Sequence, residues 1–324
     1  MTQHRVRIHS TGAPEVLRYE AAPAALGTPP AGQVRLRQDA AGLNFVDTLF
    51  RDGSFSVALP FDMGVEGAGV VEEVGAGVTN VRAGDRVAYF FSFGAYASER
   101  MIDAGALIKL PDDIDTELAA AIVTKGLTAW MLARRVHELR PGQVVLVHGA
   151  AGGVGSLLAR WAVDLGATVI ATVGSPGKAA LVRAQGIDHV LDANAPDLAA
   201  QVRAIAGGGV DVVYEFIGKA TFGQSILALR DGGLLVHVGN ASGNPAPGFL
   251  PALEARQIRY LKPATAQYVN DRASLDLASG ELFAAYRKGA LGTVAPVRYR
   301  LADVAQAHAD LAARRIGGPA ILVP

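Results

Sequence analysis

Two glycines three positions apart, Gly152 and Gly155, follow the apolar run Val144-Val-Leu-Val-His148 and open the stretch Gly153-Val154-Gly155-Ser156. A strand that breaks into such a turn and resumes as a helix aims unpaired N–H groups, and the positive end of the helix dipole, at whatever lies over the turn. That arrangement suits a diphosphate. Gly152 would let the backbone approach the diphosphate, and Gly155 would let the helix lie close to the strand. Ala150 stands where the first glycine of G-x-G-x-x-G belongs, so the bare motif also fits an ordinary glycine-rich turn. Further on, where an acid would accept a ribose 2′-hydroxyl, the chain reads Gly174-Ser175-Pro-Gly-Lys178. Ser175 supplies a hydrogen-bond donor and Lys178 a point charge, both suited to a 2′-phosphate. Asp192, in Leu191-Asp-Ala193-Asn194, weighs the other way.

Lys125 is set among Ala, Ile, Val, Gly and Leu. A lysine in apolar company points to a cleft role more than to a plain surface one. Metal chemistry has little to draw on. The chain has no cysteine, which removes disulfides, thiolate catalysis and any cysteine-bound zinc. The histidines at 4, 9, 137, 148, 189, 237 and 308 show no His-x-x-x-His or comparable spacing. Structural or solvated roles are expected for all seven, and no metal ligand is assigned. His148 and His237 end predicted strands.

The elements that must position these residues fall into two halves. Residues 1–112 carry short β signals at Arg5–Ile8, Gln33–Arg37, Gly69–Val74, Arg86–Phe90 and Tyr96–Arg100, punctuated by Gly75-Ala-Gly77 and Arg82-Ala-Gly-Asp85. This spacing predicts a compact, partly open barrel or sandwich, with Pro23, Pro29 and Pro30 in a loop before its second strand. A helix is expected from an Asp115 N-cap through Gly126 to Val136. Strands at 144–148, 167–173, 188–191, 210–216, 233–238 and 257–261 then alternate with helices at 156–165, 177–185, 197–206 and 221–230. Such alternation calls for a doubly wound parallel sheet. Helices at Asp276–Arg287 and Ala302–Arg315 and a closing strand at Ala320–Val323 are expected to return to the first half.

With 324 residues, two domains are expected. A hydrophobic content of 50% with 19% charged residues is globular, and 30 basic residues balance 30 acidic ones. Charge therefore gives no general case for nucleic acid or an anionic membrane. There is no run of about eighteen apolar residues and no apolar signal core after Met1, so a soluble, cytoplasmic chain is expected.

Several ordered blocks carry a resemblance: Asn44-Phe-Val-Asp47, Gly64-Val-Glu-Gly-Ala-Gly-Val-Val71, Val81–Val87, Lys125-Gly-Leu-Thr128, His148-Gly-Ala-Ala-Gly-Gly-Val-Gly155 and Gly239-Asn240. From end to end the chain resembles the NADPH-dependent quinone oxidoreductases, the zeta-crystallin-like, zinc-independent members of the medium-chain dehydrogenase/reductase superfamily. The resemblance implies a GroES-like β-barrel catalytic domain (1–124 with 263–324), a Rossmann domain (125–262), a cofactor cleft between them, and usually a homodimer. Val65 occupies the place of a zinc-ligand histidine in the superfamily's alcohol dehydrogenases.

By the same resemblance, Asn44, Lys125 and Thr128 are catalytic and lie at the nicotinamide end of NADPH. Asn44 also reads as an Asx-turn residue, and Asp47 as a structural hydrogen bonder. Gly152, Gly153, Val154, Gly155, Gly174, Ser175, Lys178, Gly239 and Asn240 complete the cofactor-binding set. Pro263-Ala-Thr265 and Arg314 are weaker candidates. Arg256–Lys262 is implied to be an edge strand that pairs across a dimer. Tyrosines credited to relatives near Asn44 are replaced here by Leu49 and Phe55, and a tyrosine near the 2′-phosphate is also missing. A hydroquinone anion takes its proton from water, so the loss tilts the expected acceptor toward a quinone. Phe50, Phe55, Phe61, Phe91 and Phe93 are expected to form an aromatic pocket or to fill barrel core. An NADPH-dependent 2-alkenal or enoyl reductase, or a non-catalytic NADPH-binding protein, remains an alternative.

Overall fold

The computed structural model describes residues 3–22 and 26–324. It divides into two compact units, residues 1–127, 271–283 and 294–324 in the first and residues 128–270 and 284–293 in the second. Pro23 lies outside the described residues.

The first unit is organised on the long strand Gln33–Leu43. It pairs antiparallel with Gly67–Val74, with Glu99–Asp103 along its first half, and with Ala320–Val323 along its last residues. Val297–Arg300, Arg86–Tyr89 and Ile108–Lys109 complete a seven-stranded sheet. A smaller sheet joins Leu17–Ala21, His4–Ile8 and Phe61–Asp62. Val34, Leu36, Val71, Val87 and Leu322 share one buried core, because alternate residues of these strands face inward. The sequence places a strand over Tyr96–Arg100, but the strand runs from Glu99 to Asp103. Tyr96 is withdrawn because its ring lies in the core and its hydroxyl is bonded to Asp47.

Asp115 takes up its expected position, accepting the backbone N–H of Leu118 at 2.7 Å. The helix Thr116–Trp130 then follows, and Met131–Val136 widens into a π-helical turn. At Gly126 a side chain would collide with Leu282, so glycine permits the close approach of the helix Arg272–Arg287.

The second unit is a six-stranded parallel sheet. Its order is His189–Asp192, Thr168–Val173, Val144–Val147, Val210–Glu215, Leu229–His237, Arg259–Leu261. In chain order that is 3-2-1-4-5-6, the doubly wound order of the Rossmann fold. The helices Gly153–Asp164, Pro176–Arg183, Leu198–Ile205 and Phe222–Ala228 make its connections. The helix expected to Arg230 stops at Ala228, since Leu229 is already paired with Val210. Among the described residues no helix is long and apolar enough to cross a membrane.

Candidate active site

In the first unit, Asn44 ends the long strand and stands at the N-terminus of the helix Phe45–Asp52. Its backbone N–H donates to Asp47 Oδ2 at 2.9 Å, so the carboxylate three residues on closes the helix start. Its side chain reaches the other way, with Nδ2 donating to Glu66 Oε2 at 2.9 Å. Lys125 Nζ donates to the same oxygen at 3.0 Å, and Thr124 N–H to Glu66 Oε1 at 2.6 Å. Glu66 is wholly buried, and Lys125 and Asn44 nearly so. The carboxylate thus collects a cation, an amide and a backbone N–H, which is how a buried charge becomes tolerable. Gly42 is required beside it, because a Cβ there would fall onto Glu66 Oε2 and the Ala120 carbonyl.

Glu66 was not singled out by the motif reading, which stopped at Val65. The signal was present, since a carboxylate inside the apolar, glycine-rich run Gly64–Val71 has to find a partner.

Behind Asn44 lies a second buried chain of bonds. Tyr96 O–H donates to Asp47 Oδ2 at 2.7 Å, His308 Nε2 lies 3.3 Å from the same hydroxyl, and Arg51 Nη1 lies 3.5 Å from His308 Nδ1. Because the phenol gives its only proton to Asp47, the imidazole donates from Nε2 and accepts at Nδ1. Burial pushes Asp47 up to about 7, against the hydrogen bonds from Tyr96 and Asn44 that favour its charged form. Burial pushes His308 down to about 3, helped by the Arg51 charge. Asp47 Oδ1 is buried without a hydrogen-bond partner. Tyr96 and His308 escape sequence reading because they lie 49 and 261 residues from Asp47 and only the tertiary fold joins them.

In the second unit, Gly149 turns the chain out of the first strand with φ +62°, and Gly152 caps the helix Gly153–Asp164. A Cβ on Gly155 would fall onto the Gly149 carbonyl oxygen, so this glycine is what lets the helix start so near the strand. Gly152, Gly153, Val154 and Gly155 therefore sit together at a helix N-terminus whose first N–H groups have no intrahelical acceptor. Gly174 and Ser175 follow the neighbouring strand, with Ser175 exposed as the N-cap of the helix Pro176–Arg183 and Lys178 in its first turn. Asp192 Oδ1 accepts from the backbone and side-chain nitrogens of Asn194.

Under the glycine turn lies a fully buried polar network. His148 Nδ1 is 2.8 Å from Thr172 Oγ1 and its Nε2 2.9 Å from Ser225 Oγ. Ser225 donates to Glu215, which also accepts from Ile217 N–H at 2.7 Å, Gly218 N–H at 3.0 Å and Thr221 Oγ1 at 2.9 Å. Burial lowers the His148 pKa, so a neutral ring bridges the two hydroxyls. Glu215 thereby fixes the loop beyond its own strand.

Gly239 and Asn240 follow the fifth strand. Asn240 Oδ1 accepts from His237 Nε2 at 2.6 Å, and His237 Nδ1 accepts from the Tyr260 hydroxyl at 2.8 Å. Thr128, three positions along the helix from Lys125, meets Thr265 hydroxyl to hydroxyl at 3.1 Å. Arg314 lies in the first unit just past the helix Val304–Ala312, in a left-handed conformation with φ +56°.

Comparison with known proteins gives this geometry its setting. Residues 30–112 match the alcohol dehydrogenase GroES-like domain, and residues 153–266 the zinc-binding dehydrogenase family. A quinone oxidoreductase of Pseudomonas aeruginosa is 40% identical over 99% of both chains. The chain belongs to the quinone oxidoreductase family of the medium-chain dehydrogenases/reductases. A 2-haloacrylate reductase of a Burkholderia species is 39% identical over 98% of both chains. The crystal structure of the Escherichia coli quinone oxidoreductase complexed with NADPH superposes with a TM-score of 0.95 at 36% identity, covering 99% of this chain and 100% of that one.

The zinc of the family name does not fit this chain's donors. Val65 is buried and apolar, the sequence has no cysteine, and Glu66 is committed to Lys125, Asn44 and Thr124. No group of three His, Cys, Asp or Glu among the described residues has the geometry to hold a metal ion.

Proposed function

We propose that this chain is a zinc-independent NADPH:quinone oxidoreductase that reduces a quinone or a similar electron-poor acceptor. The observation that supports the reading is the buried Asn44–Glu66–Lys125 cluster, an anchored amide and an anchored cation held by the residue next to Val65, which by resemblance stands for a zinc ligand of the metal enzymes. When bound, NADPH supplies the hydride. Glu66 takes one of the three N–H donors of Lys125, and we assign the others to the cofactor's ribose hydroxyls, with Asn44 beside them. Thr128 is assigned to the nicotinamide end.

Gly152, Gly153, Val154 and Gly155 receive the diphosphate on the helix N-terminus. Gly174 leaves room, and Ser175 and Lys178 read the 2′-phosphate. Gly239 and Asn240 hold the carboxamide through a loop that His237 braces. Gly174 has open space around it, and Gly152, Gly155 and Gly239 each sit close against neighbouring backbone, and no carboxylate stands at 174–178 to repel a phosphate. Leu49 and Phe55 offer no proton, so the hydroquinone anion left by hydride arrival takes its proton from water.

The acceptor-handling domain is assigned to residues 1–124 with 263–324, and the dinucleotide domain to 125–262. Arg259–Leu261 closes one edge of the parallel sheet, and its pairing with a two-fold mate would make a homodimer. A cytoplasmic location follows the same reading. Stopped-flow oxidation of NADPH with 1,4-benzoquinone should show rapid turnover. No turnover with any quinone would refute the assignment.

A second reading is an alkenal or haloacrylate reductase, favoured by the full-length similarity to the Burkholderia 2-haloacrylate reductase. Acrolein and 2-chloroacrylate assayed beside quinones separate the two by kcat/KM.

A further inference from the structure

Four polar residues lie fully buried beneath the glycine turn: Thr172, His148, Ser225 and Glu215. Three come from the ends of adjacent strands of the parallel sheet and one from the helix Phe222–Ala228, and their bonds can run in one direction only. Ser225 spends its hydroxyl proton on Glu215, so its oxygen accepts from His148 Nε2. The neutral ring then has Nδ1 left to accept from the Thr172 hydroxyl. None of these side chains leaves a buried polar atom without a partner, which is what makes such a network rigid.

The members also carry the segments of the proposed cofactor site. The backbone carbonyl of Thr172 accepts the N–H of Ala150, inside the glycine turn, at 3.2 Å, and Gly174 opens its own segment two residues on. Glu215 holds two loops. Its carboxylate accepts from Ile217 N–H and Gly218 N–H, and its backbone carbonyl accepts from Val238 N–H at 2.8 Å and Gly239 N–H at 3.2 Å. The Ile217 carbonyl in turn accepts from Ser242 N–H at 2.7 Å. Ile217 also lies against the turn itself, since a Cβ on Gly149 would come within 3.3 Å of its Cδ1. The glycine turn, the corner at 174–175 and the loop at 239–243 therefore hang from one buried chain of bonds, with His148 at its centre.

We infer that the chain Thr172–His148–Ser225–Glu215 sets the spacing of the segments that receive the dinucleotide, with His148 and Ser225 as positioning residues that touch neither cofactor nor acceptor. The inference rests on the assignment of the glycine turn to the diphosphate in the reading above and adds the residues that hold that site in shape. Binding draws on N–H groups aimed at fixed points, so a turn free to drift from the 216–218 loop loses affinity for the dinucleotide. An apolar side chain in place of His148 would fill the volume without tying one strand end to the next.

Ser225→Ala and Thr172→Val each cut the chain at one link and suit the helix and the strand they stand in, so both variants are expected to fold. Fluorescence titration should show NADPH and NADH affinity weakened by the same factor, on the order of fivefold, because the diphosphate is common to both. The kcat with 1,4-benzoquinone at saturating NADPH should stay within about twofold. His148→Gln, which keeps a donor and an acceptor, should bind both cofactors more tightly than His148→Leu. Leu198→Ala, a cavity in the core of the same unit, is the control: it should lower the urea midpoint and leave both affinities in place. Affinities unchanged in both link variants, an equal loss in Leu198→Ala, or a fall in kcat at unchanged affinity overturns the inference. A wild type that binds NADPH and reduces no quinone defeats the quinone reductase reading alone. A wild type that binds neither cofactor defeats both.

Discussion

Lys125 Nζ lies 3.0 Å from Glu66 Oε2, with side-chain exposures of 6% and 0%. Such a pair gains little against an apolar substitute but is costly to break, because removing one charge strands the other. Glu66→Gln should therefore lower unfolding stability by about 3–5 kcal/mol in urea titrations. The double variant Glu66→Gln with Lys125→Met should recover much of that stability while turnover stays low. Recovery of turnover together with stability would show the pair to be scaffold only.

Asp47 and His308 face each other across the Tyr96 hydroxyl and should oppose one another in pH. Asp47 has a folded pKa of about 7, above the ~4 of an unfolded aspartate, so the folded chain holds the extra proton between those values and stability falls as pH rises through them. His308 has a folded pKa of about 3, below the ~6.5 of a free histidine, so the unfolded chain holds the extra proton and stability rises with pH across that window. The two slopes nearly cancel in the wild type. His308→Gln should expose a falling slope between pH 4 and 7, up to ~1.4 kcal/mol per pH unit, and Asp47→Asn a rising one. Denaturant midpoints of both variants across pH check the signs.

Gly155→Ala would place a methyl group on the Gly149 carbonyl. The helix must then back away from the strand, at ~1–3 kcal/mol of stability. NADPH affinity, read by fluorescence titration, should weaken at least about tenfold, since ~1.4 kcal/mol of lost phosphate contact suffices for that. Gly177→Ala, with open space around its Cβ, is the matching control and should bind normally.

Lys178→Ala should narrow the preference for NADPH over NADH. A half-exposed point charge on a phosphate is worth ~0.5–1 kcal/mol, which lowers the ratio of affinities by about two- to fivefold, less in high salt. Equal ratios in the variant and the wild type would move recognition of the 2′-phosphate elsewhere.

The sequence by itself determined the second unit almost completely. Its strands alternate with helices at short range, each apolar run is flanked by its own turn residues, and the right-handed crossover leaves only a few ways to wind them. The strands expected at 144–148, 167–173 and 210–216 lie within a residue or two of those observed. The glycine turn was legible for the same reason, since its demands on backbone space are local. The first unit was less so. The strands Leu17–Ala21 and Val297–Arg300 gave no period of their own, and Tyr96 was drawn out of a predicted strand by a bond to Asp47.

What only the tertiary structure decided is which polar groups share a burial. Asn44, Glu66 and Lys125 come from three separate blocks, and Asp47, Tyr96 and His308 span most of the chain. Sequence spacing says that a buried charge needs a partner. Which partner it finds depends on long-range packing, because a hydrogen bond forms over about 3 Å while the chain between its ends runs for tens or hundreds of residues.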